Sequence, residues 1–303
     1  MLERTVILQR SGVVLMLVGM WLGAIPPMAT GQPSIDDVSV IVLPAPPVRG
    51  VRPTPAPGST AGGAPRTLLV QLSAKRNRII DTEDWFRNNG LSLPEYEIPN
   101  AAMQRPGNVP AGIPQRYKGN PLLKAIRQST TVLLVYGTDP TGARYLIAAD
   151  PERHTYRYAY DLAHYVYLPG LDPKGRAGPQ GIMWAVERDG VLHVSNSHLT
   201  YARESRGMNA YLTAIRAGTD GVLWRSLPLV ANSFTFEVIG DFVVSGYGFT
   251  GERDYVYVLN RLTGEVVQRI ALRTAPEYIL RKGDRLYVRG YNTDFIFGIV
   301  PIR

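Results

Sequence analysis

One pattern recurs four times between residues 132 and 303, and it restricts the fold more than any other feature. Residues 132–162, 191–229, 241–272 and 285–303 each open with an alternating apolar strand and pass through a polar loop. Each then starts a second strand on an aromatic: Tyr145, Tyr211, Tyr255 and Phe295. The first three segments turn at Pro151-Glu152-Arg153, Thr219-Asp220-Gly221 and Leu262-Thr263-Gly264 and return on a third strand. The aromatic starts lie 66, 44 and 40 residues apart, and a Pro/Gly-rich insertion at residues 168–181 accounts for the 66. A further strand precedes each segment, at residues 122–126, 184–187, 234–238 and 278–281. The joining turns carry Gln128-Ser129-Thr130, Asp189-Gly190, Gly240-Asp241 and Gly283-Asp284, which are tight hairpin signals.

The unit is therefore four antiparallel strands in about 40–45 residues, the period of a propeller blade. A single such sheet cannot bury both of its faces, so the units stack radially. The expected class is all-β: a small β-propeller of four four-stranded antiparallel blades at residues 121–303. The last unit has only three strands, and TLLVQL at residues 67–72 is the candidate outer strand that closes the ring. A fifth, degenerate blade from residues 67–120 is the alternative. That lead-in also predicts a short helix: Asp81 caps it, Glu83 and Asp84 occupy its first turn, and Gly90 ends it. Residues 93–119 hold several prolines and read as irregular.

The amino terminus has a different character. Arg4 and Arg10 form a short basic region ahead of a fourteen-residue apolar run, GVVLMLVGMWLGAI, which Pro26-Pro27 break before Ala29-Thr30-Gly31. This layout predicts a secretory signal peptide at residues 1–31, with an uncleaved outward-facing anchor as the alternative. Residues 32–66 read as a Pro/Gly-rich disordered linker, within which VSVIVL at residues 38–43 could form a short strand. The expected location is secreted or periplasmic, with no membrane span after signal cleavage. The absence of cysteine excludes disulfides, thiol catalysis and Cys-ligated zinc. The net charge of +8 comes from scattered Lys and Arg without a block of five, which argues against specific nucleic-acid binding.

Tyr211-Leu212-Thr213-Ala214-Ile215, then Thr219-Asp220-Gly221, then Leu223-Trp224-Arg225, resembles the repeat of quinoprotein-like (pyrroloquinoline-quinone-type) β-propellers. Leu259-Asn260 with Thr263-Gly264-Glu265-Val266-Val267 looks like a second copy, with Gln268 where that pattern often has Trp. The resemblance covers residues 121–303 and implies the architecture, with Trp224 packed between blades. Catalytic members of that family usually have about eight blades and a vicinal disulfide beside the cofactor. This chain has room for half the blades and no cysteine, so the resemblance implies a non-catalytic member without a cofactor.

Other motifs carry little chemistry. Gly246-Tyr247-Gly248-Phe249-Thr250-Gly251 matches a dinucleotide fingerprint, but a strand follows it where a helix is required. His193 and His198 are five apart, which places them on opposite faces of a strand, and no acidic ligand lies between them, so no metal site is expected. Tyr156, Tyr158 and Tyr160 at alternate positions read as one aromatic face, either inter-blade packing or a platform for a sugar or peptide.

The strongest functional pointer is geometric. In a propeller the loops between the second and third strands of every blade gather on one face. Here those loops contribute Arg144, Tyr201, Arg203, Glu204, Arg206, Tyr247, Phe249, Arg253 and Tyr291. Arg and Tyr dominate binding hot spots. The expected function is a binding or scaffold module for a protein or an acidic or glycan polymer of the cell envelope. The alternative is an envelope enzyme: a hydrolase with carboxylates in the central channel, or a degenerate quinone-dependent dehydrogenase.

Overall fold

The computed structural model describes residues 34–46, 68–77, 81–99, 107–168 and 174–300. The expected signal peptide and most of the expected linker lie outside the described residues.

The described chain is a small β-propeller of four antiparallel sheets. Sheet 1 holds β5 (Asn120–Arg127), β6 (Val132–Gly137), β7 (Ala143–Asp150) and β8 (Thr155–Asp161). Sheet 2 holds β9 (Ile182–Arg188), β10 (Val191–Asn196), β11 (Tyr211–Arg216) and β12 (Val222–Arg225). Sheet 3 holds β13 (Glu237–Ile239), β14 (Phe242–Tyr247), β15 (Tyr255–Asn260) and β16 (Val266–Ala271). Sheet 4 combines β17 (Pro276–Lys282), β18 (Arg285–Gly290) and β19 (Thr293–Ile299) with β2 (Leu69–Arg76), which pairs antiparallel with β19 from the far end of the sequence. The hairpins follow the local code. Asp189 and Gly190 both have positive φ, 51° and 73°, and so turn β9 into β10 in two residues.

The sheets are linked by one recurring device. In the outer hairpins of sheets 1, 2 and 3 the ladder slips by one residue directly after the pairs Ala148↔Tyr158, Ala214↔Trp224 and Val258↔Gln268. A bulge of this kind bends the strand and re-aims the side chain beside it. Each of the three side chains reaches the next sheet. The Tyr158 hydroxyl donates to Glu187 Oε2 in β9 (2.6 Å), and its neighbour Tyr160 donates to Thr219 O (2.8 Å). Trp224 Nε1 donates to Arg261 O in the β15–β16 turn (2.8 Å). Gln268 accepts from Leu68 N and Leu69 N (3.1 and 3.0 Å) and donates to Leu69 O (2.8 Å), which holds the closing strand β2. The amide thus replaces an indole where the neighbouring sheet offers a strand edge. Gln268→Leu leaves three backbone groups without their partner. It is expected to cost about 1–3 kcal/mol and to raise amide exchange in β2, read by hydrogen–deuterium exchange.

The same slip corrects the expected tyrosine face. Tyr158 and Tyr160 pack into the core shared by sheets 1, 2 and 3, whereas Tyr156 packs on the other face of sheet 1 with Ala159 and Ile147. The extra residue at Arg157 inverts the alternation, so the three rings form no common platform.

Ring closure does not depend on sheet-to-sheet packing throughout. One apolar cluster joins sheets 1, 2 and 3, and another joins sheets 3 and 4. Among the described residues, no such cluster joins sheet 4 to sheet 1; the lead-in occupies that interval. Helix α1 (Thr82–Asn89), capped by Asp81 and ended by Gly90 in the left-handed conformation, lies against sheet 4. Phe86 meets Tyr278 edge-on at 5.3 Å, and Lys282 Nζ donates to Asn89 O (2.9 Å). The chain then crosses to sheet 1, where β3 (Glu95–Tyr96) pairs with the free inner edge of β5 and β4 (Arg116–Tyr117) with its start. Ile113, Tyr117 and Ile35 bury the outer face of sheet 1. A degenerate fifth blade is therefore absent from the described residues, and an irregular wedge fills its place. Residues 34–46, inside the expected linker, are also ordered: β1 (Val40–Val42) pairs in parallel with β8, and Leu43 is buried.

Candidate functional site

The loop between β10 and β11 is long and is tied from within. Asn209 Oδ1 accepts from His198 N (2.9 Å), Ser197 Oγ (3.2 Å) and Ala210 N (2.8 Å), while its Nδ2 donates to His198 O (3.1 Å). His198 is buried with one ring nitrogen 2.7 Å from Ser205 Oγ and the other 3.0 Å from Thr200 Oγ1. A 3-10 turn over Ala202–Ser205 completes the loop. The loop between β14 and β15 is fixed by Asn232, which donates to Gly248 O (2.7 Å) and accepts from Gly248 N (3.1 Å).

These two loops lock together. Glu252 Oε1 accepts from Ala202 N (2.8 Å), and its Oε2 accepts from the Tyr247 hydroxyl. In the same two loops, Tyr201 and Phe249 meet edge-to-face at 5.0 Å. Arg203 lies 4.8 Å over the Tyr201 ring and pairs with Glu204 (3.2 Å). Arg176, from the insertion ahead of β9, pairs with the same carboxylate at 2.7 Å. Arg206 and Arg253, in the same two loops, are exposed. Burial pushes the Asp254 carboxyl up to about 6, opposed by a backbone hydrogen bond from Phe249 and reinforced by Glu252.

The structure thus brings Tyr201, Arg203, Glu204 and Phe249 together. It assigns other expected residues different places. Tyr247 is only 3% exposed and supports the clamp from below rather than presenting a surface. Arg144 makes two 2.6 Å bonds to Asp161, which tie β7 to the end of β8. Tyr291 is 64% exposed on the β18–β19 turn of sheet 4. Glu252 and Arg176 were not among the expected site residues. Glu252 is one of two carboxylates in the loop at residues 248–254, and only its position against Ala202 distinguishes it.

Carboxylates on the inner strands are engaged. Glu187 accepts from both Arg157 nitrogens (2.9 and 3.1 Å) and from Tyr158. Glu237, pushed up by burial, accepts from Arg281 N (3.0 Å). Glu277, also pushed up by burial, faces Arg289 at 3.6 Å. The groove of about 540 Å³ between residues 34–41 and β8 lies at the outer edge of sheet 1 and is lined by Asp37, Ile41, Tyr156 and Arg157. Among the described residues, no helix is long and apolar enough to cross a membrane.

No protein-family model and no curated protein matches this chain. Among solved structures it is similar to the computationally designed Ika4 protein, at 11% identity and a TM-score of 0.36, over 57% of this chain and 88% of that one. It is also similar to BamB from Moraxella catarrhalis, at 14% identity and a TM-score of 0.32, over 60% of this chain and 58% of that one. A europium-containing methanol dehydrogenase is 14% identical over 52% of this chain, with a TM-score of 0.35, and the match spans only 27% of the dehydrogenase.

Proposed function

We propose that this chain is an exported, non-catalytic β-propeller of the quinoprotein-like repeat type. It acts as a binding or scaffold module through the platform formed by its β10–β11 and β14–β15 loops. The observation that carries this reading is the clamp itself. Glu252 joins the loops of two sheets, so the Tyr201–Phe249 pair and the arginines around it form a preorganised surface. An aromatic anchor held rigid before binding loses little entropy on association. Arg203, Arg206 and Arg253 give this surface a positive rim suited to an acidic protein segment or an acidic or glycan polymer of the cell envelope. The residues 1–31 act as a cleaved export signal, and the Pro-rich segment after residue 43 acts as a spacer from the envelope.

The inner-strand carboxylates favour this reading over a hydrolase, since Glu187, Glu237 and Glu277 each already face a hydrogen-bond donor or a cation. The test compares capture from an envelope extract by the wild type and by Arg203→Ala/Arg206→Ala/Arg253→Ala. Capture of the principal partner is expected to fall at least about tenfold, the loss of about 1.4 kcal/mol. Equal capture by both proteins removes the platform from the account.

A further inference from the structure

Sheet 2 has a second polar corner that the platform does not use. Arg225 ends β12 and is only 3% exposed. Its guanidinium lies 3.8 Å from the centre of the Tyr211 ring and 5.0 Å from that of Tyr165. Tyr165 is delivered by α2 (Ala163–Val166), the short helix that follows β8. Among the described residues, neither Nε nor Nη2 of Arg225 has a hydrogen-bond partner. Burial pulls this guanidinium down to about 10, opposed by the two tyrosines.

The surroundings are unsatisfied as well. Thr213 stands opposite Arg225 across the β11–β12 ladder, and Asn196 stands opposite Tyr211 across the β10–β11 ladder. Directly paired residues point to the same side of a sheet, as do residues two apart on a strand. Asn196, Tyr211, Thr213 and Arg225 therefore share one face. Among the described residues, Thr213 Oγ1 and Asn196 Oδ1 are buried without a partner, as is Oε1 of Gln180, whose backbone oxygen meets Asn196 Nδ2 at 3.4 Å.

A buried cation without an acceptor is costly, and two aromatic faces recover only part of that cost. The unpaired edge is also chemically specific. Nε and Nη2 form the side of a guanidinium that takes a carboxylate through two parallel bonds. Arg144 shows that edge filled, by Asp161 at 2.6 Å on both nitrogens. Arg225 turns the same edge to no acceptor among the described residues.

We propose that Arg225 forms a carboxylate-binding site, in which its Nε–Nη2 edge, walled by Tyr165 and Tyr211 and flanked by Thr213, receives a carboxylate supplied from outside the fold. The carboxylate belongs either to a free small acid or to an acidic side chain of a peptide. This site is independent of the loop platform, and neither Arg203 nor Arg253 takes part in it.

Thermal unfolding of the full chain tests the proposal with sodium acetate, sodium glutamate and a tetraglutamate peptide, each against sodium chloride at equal ionic strength. Acetate is expected to raise the wild-type Tm saturably by about 2–5 °C beyond chloride. Arg225→Lys keeps the charge but loses the fork, and the shift is expected to vanish. Arg225→Met removes the uncompensated charge, and its Tm is expected to equal or exceed that of the wild type in chloride while ignoring carboxylates. A stronger response to the peptide than to acetate assigns the site to side-chain carboxylates, and the reverse assigns it to free acids. No carboxylate-specific shift in the wild type, or an undiminished shift in Arg225→Lys, overturns the proposal. So does a crystal structure grown in acetate that shows only water, or one of the chain's own carboxylates, on that edge.

Discussion

Trp224→Ala is expected to lower the stability of the whole chain by about 3–5 kcal/mol, the range for truncating a large buried aromatic. Trp224 is among the largest fully buried side chains, and it belongs to sheet 2 while its Nε1 bonds to the β15–β16 turn of sheet 3. The sheet 3 side is built to receive it. Gly264 has φ +71°, and a Cβ there would sit 2.6 Å from indole Cδ2, so the turn needs a glycine for both its conformation and its space. Gly264→Ala is expected to destabilise through the same contact. Urea unfolding followed by circular dichroism reads the effect. A cost under about 1 kcal/mol for Trp224→Ala would mean that the sheets are not coupled through these side chains.

The second large effect concerns acid. His193 is fully buried in β10, with its ring 5.9 Å from that of Trp224. Burial first, and the nearby Arg261 second, pull its pKa from 6.5 down to about 4. Between these values the unfolded chain binds a proton that the folded chain does not. Stability therefore rises with pH across that window, is complete above about 6.5, and is lost as pH falls towards 4. A shift of this size corresponds to about 3 kcal/mol. Asp254 acts in the opposite sense, since its raised folded-state pKa favours the fold at low pH and loses that contribution as pH rises towards 6. Comparison of wild type with His193→Phe isolates the histidine. The difference in their unfolding free energies is expected to change by about 3 kcal/mol between pH 7 and pH 4. A constant difference would place the His193 ring in contact with water.

Much of the architecture is legible because it is local. The aromatic starts Tyr145, Tyr211, Tyr255 and Phe295 each fall on the third strand of a sheet, and Asp81 and Gly90 cap α1 as their chemistry requires. The same holds for Gln268, whose place in the repeat already marks it as the counterpart of Trp224. What is not legible depends on strand register or on contacts distant in sequence. The slip at Arg157 turns Tyr156 to the other face, and nothing in TYRYAYD encodes it. The wedge between sheets 4 and 1 has no repeat period, because α1, β3 and β4 are unlike one another. Residues 38–43 offered a strand, but the partner β8 lies more than 100 residues away. In the candidate site, the aromatic and Arg residues were visible as loop composition. The clamp was not, because Glu252 and Ala202 are 50 residues apart. Tyr247 is buried although it lies beside a surface loop: it ends β14, and its hydroxyl bonds to Glu252 five residues on, a turn-back that the loop composition does not reveal.

Glu252 joins the β10–β11 and β14–β15 loops into one surface. The most direct test of the proposed binding role is hydrogen–deuterium exchange of the full chain, with and without the principal protein recovered with it from an envelope extract. The platform account predicts protection on binding in residues 197–210 and 248–254 together, with both losing it in Arg203→Ala/Arg206→Ala/Arg253→Ala. Protection confined to the outer strands β2, β12 or β16, with the two loops unchanged, would contradict it.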